Sequence, residues 1–141
     1  MSELSRRAPA ASPSTTVLVV DDEALIRTLI ARWLKGAGLG VVEAASGGAA
    51  MELLADATRT IDVLVTDLAM PGMNGAELIA WAARHRPELP ILCMTGHAEG
   101  VPPGIPVLDK PFRGPAFLDA VRDALARRPS TTRARAASAG L

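Results

Sequence analysis

Five short runs of β-branched and other apolar residues alternate along the chain with stretches that have the periodicity of helices. The runs occupy residues 17–20, 40–44, 61–66, 90–94 and 105–108. They are mostly apolar on both faces, which is typical of strands that helices cover on both sides of a sheet. An alternation of strands and helices predicts an α/β fold with a parallel sheet and right-handed crossovers.

Four helices are predicted between or after these runs, over residues 25–34, 49–55, 74–85 and 115–125. In the first of them apolar residues recur at 3.6-residue spacing, and Lys35-Gly36 supplies a C-terminal stop. Asn74 is placed to cap the third helix, and Pro115 suits the first turn of the fourth.

The composition is that of one soluble globular domain. The chain has 141 residues, of which 49% are apolar and 21% charged. The longest wholly apolar run, 78–83, is far shorter than the roughly 20 residues of a membrane span. No apolar stretch follows Arg6 and Arg7, so the N-terminus does not resemble a secretory signal. A single cysteine, Cys93, cannot form an internal disulfide, and we expect a cytoplasmic protein.

The net charge of zero conceals an uneven distribution. Residues 16–126 carry 14 acidic and 9 basic side chains, whereas 127–141 contain four arginines and no acid. A basic tail can contact nucleic acid or an acidic partner, but we interpret it as a solvated, disordered end. We therefore predict a disordered leader at 1–15, a folded domain at 16–128 and a disordered basic tail at 129–141, with no nucleic-acid partner.

Polar side chains follow four of the five predicted strands. Asp21 and Asp22 end the first strand, Asp67 the third and Thr95 the fourth, and Lys110 follows the fifth. In an open parallel sheet, ligands bind outside the carboxyl ends of the strands. We therefore expect these five side chains to converge on one edge of the sheet.

The residue types at this edge suit phosphoryl chemistry on a metal site. Three crowded carboxylates repel one another and need a cation, and oxygen ligands with room for water and phosphate suit Mg²⁺. A carboxylate such as Asp67 can also act as a nucleophile and become an aspartyl phosphate. Lys110 and the Thr95 hydroxyl could each contact a phosphoryl oxygen, since such transfer requires positioning and charge neutralisation.

Four segments, each after a predicted strand, resemble the receiver domain of the bacterial response-regulator family over residues 16–126. They are VLVVDDE at 17–23, VTDLAMPGMNG at 65–75, MTG at 94–96 and KPF at 110–112. Each segment alone is a weak signal, whereas all four in this order are highly specific. The resemblance implies a flavodoxin-like, doubly wound, five-stranded parallel sheet with strand order 2-1-3-4-5.

The resemblance also implies the role of each residue. Asp67 is the expected phosphoacceptor, Thr95 the switch hydroxyl and Lys110 a phosphoryl contact. The expected Mg²⁺ ligands are Asp21, Asp22, Asp67 and the backbone carbonyl of Ala69. The peptide bond between Lys110 and Pro111 is expected to be cis.

The partners implied are those of a two-component phosphorelay. The phosphoryl donor would be a histidine kinase or a histidine phosphotransfer protein. The phosphorylated domain would signal to an unknown downstream protein or act as a phosphate sink. We expect a signalling protein rather than an enzyme, and a monomer or weak dimer.

Some residues also have simpler explanations. Asp22 could cap the first helix, but capping would not explain the adjacent Asp21. Thr95 could be an ordinary strand-end residue and Lys110 a solvent-facing one, although its place in a Lys-Pro-Phe segment favours a site residue. His97 could border the site, but we interpret it as an exposed loop histidine.

Two features depart from common receivers. Val107 stands three residues before the lysine, where the family often has an aromatic ring that reports phosphorylation. The segment 96–105 is short for a parallel crossover and rich in glycine and proline. We therefore predict that the fourth helix of the usual receiver, which lies between the fourth and fifth strands, is missing or vestigial here. We expect ordering of this segment, rather than a helix shift, to report phosphorylation.

Two other classes of protein fit these residues less well. A phosphatase with an aspartate nucleophile needs a second acid near that nucleophile, and Ala69, two residues after Asp67, offers none. A DNA-binding regulator would have to use the basic tail, which is too short for a helix-turn-helix.

Overall fold

One parallel sheet of five strands forms the centre of the described part of the chain. The computed structural model describes residues 15–70, 72, 74–96 and 101–127. The strands are β1 Thr16–Val20, β2 Gly40–Ala44, β3 Val63–Asp67, β4 Ile91–Thr95 and β5 Val107–Asp109. Their order is β2-β1-β3-β4-β5, and every neighbouring pair is parallel. The predicted α/β fold and strand order are therefore confirmed.

Four helices accompany the sheet in the described residues: α1 Ala24–Gly36, α2 Gly47–Ala55, α3 Gly75–His85 and α4 Gly114–Ala126. Asn74 caps α3 as predicted, in a reciprocal pair of hydrogen bonds with Glu77. Helix α2 begins two residues earlier than predicted because Ser46 Oγ accepts the Ala49 N–H and caps it.

The helices cover both faces of the sheet, which explains why the strands are apolar on both faces. Alternate strand residues point to opposite faces. Leu18, Leu64 and Cys93 lie in the hydrophobic cluster that includes α2 and α3, whereas Val19 and Val65 lie in the one that includes α1 and α4. Burial of Cys93, together with the nearby charge of Asp67, raises the pKa of its thiol to about 11.

The connection from β4 to β5 lacks a helix wherever the structure describes it, which is at Gly96 and residues 101–106. The Ile105 N–H donates to the Pro102 carbonyl at 3.3 Å, and Gly104 adopts a left-handed φ of 85°. The predicted absence of a helix between β4 and β5 is therefore confirmed for these residues. Residues 97–100 of this connection lie outside the described residues, as do 1–14 of the leader and the whole tail at 129–141.

No helix in the described ranges is both long and apolar enough to cross a membrane.

Candidate functional site

Three of the predicted site residues meet in direct contact at the carboxyl edge of the sheet. Lys110 Nζ lies 3.1 Å from Asp67 Oδ2 and 3.7 Å from Asp21 Oδ2. Asp67 ends β3, Asp21 directly follows β1, and Lys110 directly follows β5. Parallel strands end at the same edge, so the fold brings together residues that are far apart in sequence.

Asp22 completes a cluster of three carboxylates. One carboxylate oxygen from each of Asp21, Asp22 and Asp67 lies within 4.8 Å of the others. Asp21 and Asp67 are buried, whereas Asp22 is exposed. The cluster therefore has a buried floor and one side chain open to solvent.

One oxygen of the Asp21 carboxylate accepts a hydrogen bond, and the other accepts none from the described residues. Its Oδ1 accepts the Glu23 N–H at 2.9 Å, whereas its buried Oδ2 has no hydrogen-bond partner among the described residues. Burial raises the pKa of Asp21, and the neighbouring charge of Asp67 acts in the same direction. The Glu23 N–H and the Lys110 ammonium partly offset this rise.

Lys110 is retained in its charged form. Burial lowers the pKa of Lys110, but its hydrogen bond with Asp67 and the charges of Asp67 and Asp21 raise it by more. The backbone N–H of Lys110 donates to the Thr95 carbonyl at 2.8 Å, which links the ends of β5 and β4. The Lys110–Pro111 peptide bond is cis, as predicted.

These residues fit a hard divalent cation. Three carboxylates face one ammonium, so negative charge remains uncompensated, and the orphaned Asp21 Oδ2 lies 3.7 Å from that ammonium. Carboxylate oxygens with an open side toward solvent suit Mg²⁺, which keeps several waters.

Thr95 and Ala69 are two further predicted site residues that the structure describes. Thr95 is buried at the end of β4, and Ala69 is exposed two residues beyond Asp67. The contribution of the Ala69 carbonyl stays a prediction. His97 lies outside the described residues.

Sequence reasoning missed Arg27, on the first turns of α1. Its Nη1 donates to the Asp21 carbonyl at 2.6 Å and its Nε to Glu43 Oε1 at 3.0 Å. One signal could have identified it, because a cation near a helix N-terminus opposes the helix dipole and indicates an acidic partner.

Gly75, the first residue of α3, packs against the backbone that carries Asp67. Its N–H donates to the Leu68 carbonyl at 2.7 Å. A Cβ at this position would clash with the Asp67 carbonyl oxygen and would lie 2.7 Å from Leu68 Cα. Only glycine therefore permits this approach of the helix to the site.

Gly75→Ala is expected to lower the free energy of unfolding by about 1 to 3 kcal/mol, because backbone atoms at the site must move to admit a methyl group. Urea unfolding measures the change. Gly48→Ala in α2 is the matched control, since a Cβ there meets nothing within 4 Å. The control should stabilise by up to about 1 kcal/mol. Equal stability of the two variants would contradict the packing described at Gly75.

Comparison with known proteins agrees with this fold. Residues 17–103 match the response regulator receiver domain family. The chain belongs to this family, and it is therefore a receiver domain of two-component systems, a signalling class. One similar solved structure is the response regulator receiver protein from Sinorhizobium medicae WSM419. It has a TM-score of 0.75 and 30% identity, with 82% of this chain and 97% of that chain covered.

Similar curated proteins are much longer than the matched segment. The DNA-binding transcriptional regulator NtrC of Escherichia coli K12 is 41% identical over 83 residues, which are 59% of this chain and 17% of NtrC. Sensor kinase CckA of Brucella abortus is 36% identical over 88 residues, which are 62% of this chain and 9% of CckA. The similarity therefore covers a small part of each of these relatives.

Proposed function

We propose that this domain accepts a phosphoryl group from a phosphohistidine donor onto Asp67, in a reaction that requires Mg²⁺. The phosphorylated domain would then signal through protein contacts or serve as a phosphate sink. The observation that carries the proposal is the charge arrangement at the edge of the sheet. Lys110 contacts Asp67 at 3.1 Å, beside an Asp21 oxygen that is buried without a hydrogen bond.

In this proposal Asp67 is the nucleophile. An Asp67 carboxylate oxygen attacks phosphorus, the P–N bond of the donor breaks, and the imidazole leaves with the electron pair. The Lys110 ammonium lies close enough to Asp67 to contact a phosphoryl oxygen on it, and the Thr95 hydroxyl would contact another. Such transfer depends on positioning and charge neutralisation rather than on further covalent steps.

Asp21, Asp22, Asp67 and the Ala69 carbonyl are the groups that would hold Mg²⁺. When bound, the ion neutralises charge on the carboxylates and on the incoming phosphoryl oxygens. We further propose that this activity belongs to residues 16–128 and that the protein is a cytoplasmic monomer or weak dimer.

A protein donor must contact the surface around Asp67, and α1 offers an apolar one. Leu25 is 85% exposed and Leu29 is 41% exposed, the two large exposed apolar side chains among the described residues. Leu29 also lines a groove of about 170 Å³, together with Glu23, Ile26, Trp33, Lys110, Pro111 and Phe112. The groove reaches Lys110 itself, so we assign this surface to the histidine kinase or histidine phosphotransfer protein.

Leu25→Asp is expected to slow phosphotransfer from a phosphorylated histidine protein by about tenfold or more, since it would place an unpaired carboxylate in an apolar contact surface. Labelling by acetyl phosphate should not change, because the substitution lies outside the carboxylate cluster. Equal loss with both donors would contradict a docking role and indicate damage to the site.

The proposal itself is tested with acetyl phosphate as the donor. With Mg²⁺ present, the protein should gain one phosphate that is stable to acid and labile to base, as acyl phosphates are. Excess EDTA should prevent the gain. Labelling that persists in EDTA, or a base-stable phosphate, would contradict the proposal.

A further inference from the structure

Arg27 connects α1 to both the loop after β1 and the end of β2. Its Nη1 donates to the Asp21 carbonyl at 2.6 Å, and its Nε donates to Glu43 Oε1 at 3.0 Å. The Arg27 side chain is 17% exposed and that of Glu43 is 37% exposed, so the bond to the Asp21 carbonyl is better shielded from solvent than the bond to Glu43. Arg27 binds the carbonyl of Asp21 and leaves both carboxylate oxygens to other partners.

The hydrogen bonds of Asp21 fix the direction of Oδ2, the carboxylate oxygen that accepts no hydrogen bond within the described part of the chain. The Asp21 N–H donates to the Ala44 carbonyl at 3.2 Å, and its own carbonyl accepts from Arg27. Its Oδ1 accepts the Glu23 N–H. The backbone is thus held on both sides of the Cα, and the side chain is held at one oxygen. Oδ2 consequently lies 3.7 Å from the Lys110 ammonium, which also contacts Asp67.

Arginine suits this place in a way that lysine does not. The planar guanidinium offers several donors in a fixed fork, so it can bind Glu43 and the Asp21 carbonyl together. A lysine ammonium is a point charge on a flexible stem and would favour one partner. The cation also lies near the N-terminus of α1, where the helix dipole opposes it, and Glu43 offsets that cost.

We propose that Arg27 is a positioning residue for Mg²⁺ binding. It holds the Asp21 backbone so that Oδ2 faces the metal position, and Glu43 orients its guanidinium. This inference rests on the proposed function, because it takes Asp21 as a metal ligand.

The test compares Arg27→Lys with Arg86→Lys. Arg86 is a matched control because its Nη1 also donates to a backbone carbonyl, that of Leu54, at 2.8 Å, in a half-buried place outside the site. Calorimetric titration with Mg²⁺ gives the Kd, and urea unfolding in EDTA gives the stability. Arg27→Lys should raise the Mg²⁺ Kd about tenfold, as is usual for partners that orient metal ligands. Arg86→Lys should lower stability without changing the Kd.

Labelling with acetyl phosphate adds a second measurement. At saturating Mg²⁺ the rate for Arg27→Lys should return close to the wild-type rate, because only affinity is impaired. Glu43→Gln should raise the Kd in the same direction and less, and the double variant should show less than the sum of the two effects. Should Arg27→Lys fail to fold, Glu43→Gln carries the test alone.

The outcomes separate the two proposals. A wild-type Mg²⁺ Kd in Arg27→Lys overturns the role of Arg27 and leaves the proposed function standing. An equal rise in the Kd of Arg86→Lys also overturns it, since general destabilisation would then explain the effect. A wild-type protein that binds no Mg²⁺ would refute the proposed function and this inference with it.

Discussion

Asp67→Asn is expected to abolish labelling by acetyl phosphate, with a loss of at least about a hundredfold, because an amide is not a nucleophile toward phosphorus. Asparagine has the size of aspartate and can still accept the Lys110 hydrogen bond of 3.1 Å. The folded structure should therefore survive the change. Retained phosphate, measured by mass spectrometry of the intact protein, is the readout.

The control for this substitution is Asp119→Asn on α4. Asp119 is exposed, and its ion pair with Arg122 spans 3.6 Å on the same helix, away from the carboxylate cluster. Labelling of this variant should match the wild type. Labelling of Asp67→Asn at the wild-type level would show that another residue accepts the phosphoryl group.

Asp21→Asn is expected to change binding and stability in opposite directions. The Mg²⁺ Kd should rise by about 10- to 100-fold or more, because the variant lacks a buried carboxylate ligand. Without Mg²⁺ the variant should be more stable than the wild type by about 0.5 to 2 kcal/mol, as is common when a functional group that costs stability is replaced. The cause is the burial of Asp21, whose Oδ2 lacks a hydrogen bond beside a second buried carboxylate.

Urea unfolding in EDTA and in excess Mg²⁺ measures both effects. The wild type should gain stability from Mg²⁺ by ligand linkage, and Asp21→Asn should gain little. Asp119→Asn again serves as the control and should behave as the wild type in both conditions. A loss of stability in EDTA for Asp21→Asn would mean that its charge stabilises the fold through Lys110, contrary to this account.

The position of the site at the edge of the sheet was predictable because the carboxyl ends of all strands in a parallel sheet lie on one side. Asp21, Asp67 and Lys110 each come directly at or after a strand, so the strand pattern alone brought them together. The helices were predictable from apolar spacing, and the capping role of Asn74 was predictable from its place directly before α3. These features depend on short stretches of sequence whose local preferences agree with the fold.

The remaining features depend on contacts between distant segments. Arg27 and Glu43 are 16 residues apart. The place of Arg27 near a helix N-terminus indicates an acidic partner, but nothing local shows that this partner is Glu43 at the end of β2. The clash that restricts Gly75 arises from the path of the backbone after Asp67. Strand β5 begins at Val107 rather than 105, a difference of two residues at the end of a proline-rich connection. Local periodicity carries no information on contacts between segments that are distant in sequence.

The most direct test of the central claim is to locate the phosphate. The protein is labelled with acetyl phosphate and Mg²⁺, then reduced with borohydride, which converts an aspartyl phosphate to homoserine. Peptide mass spectrometry should find homoserine at position 67 and nowhere else. Homoserine at Asp21 or Asp22, or a phosphate that resists reduction, would contradict the assignment of Asp67 as the phosphoacceptor.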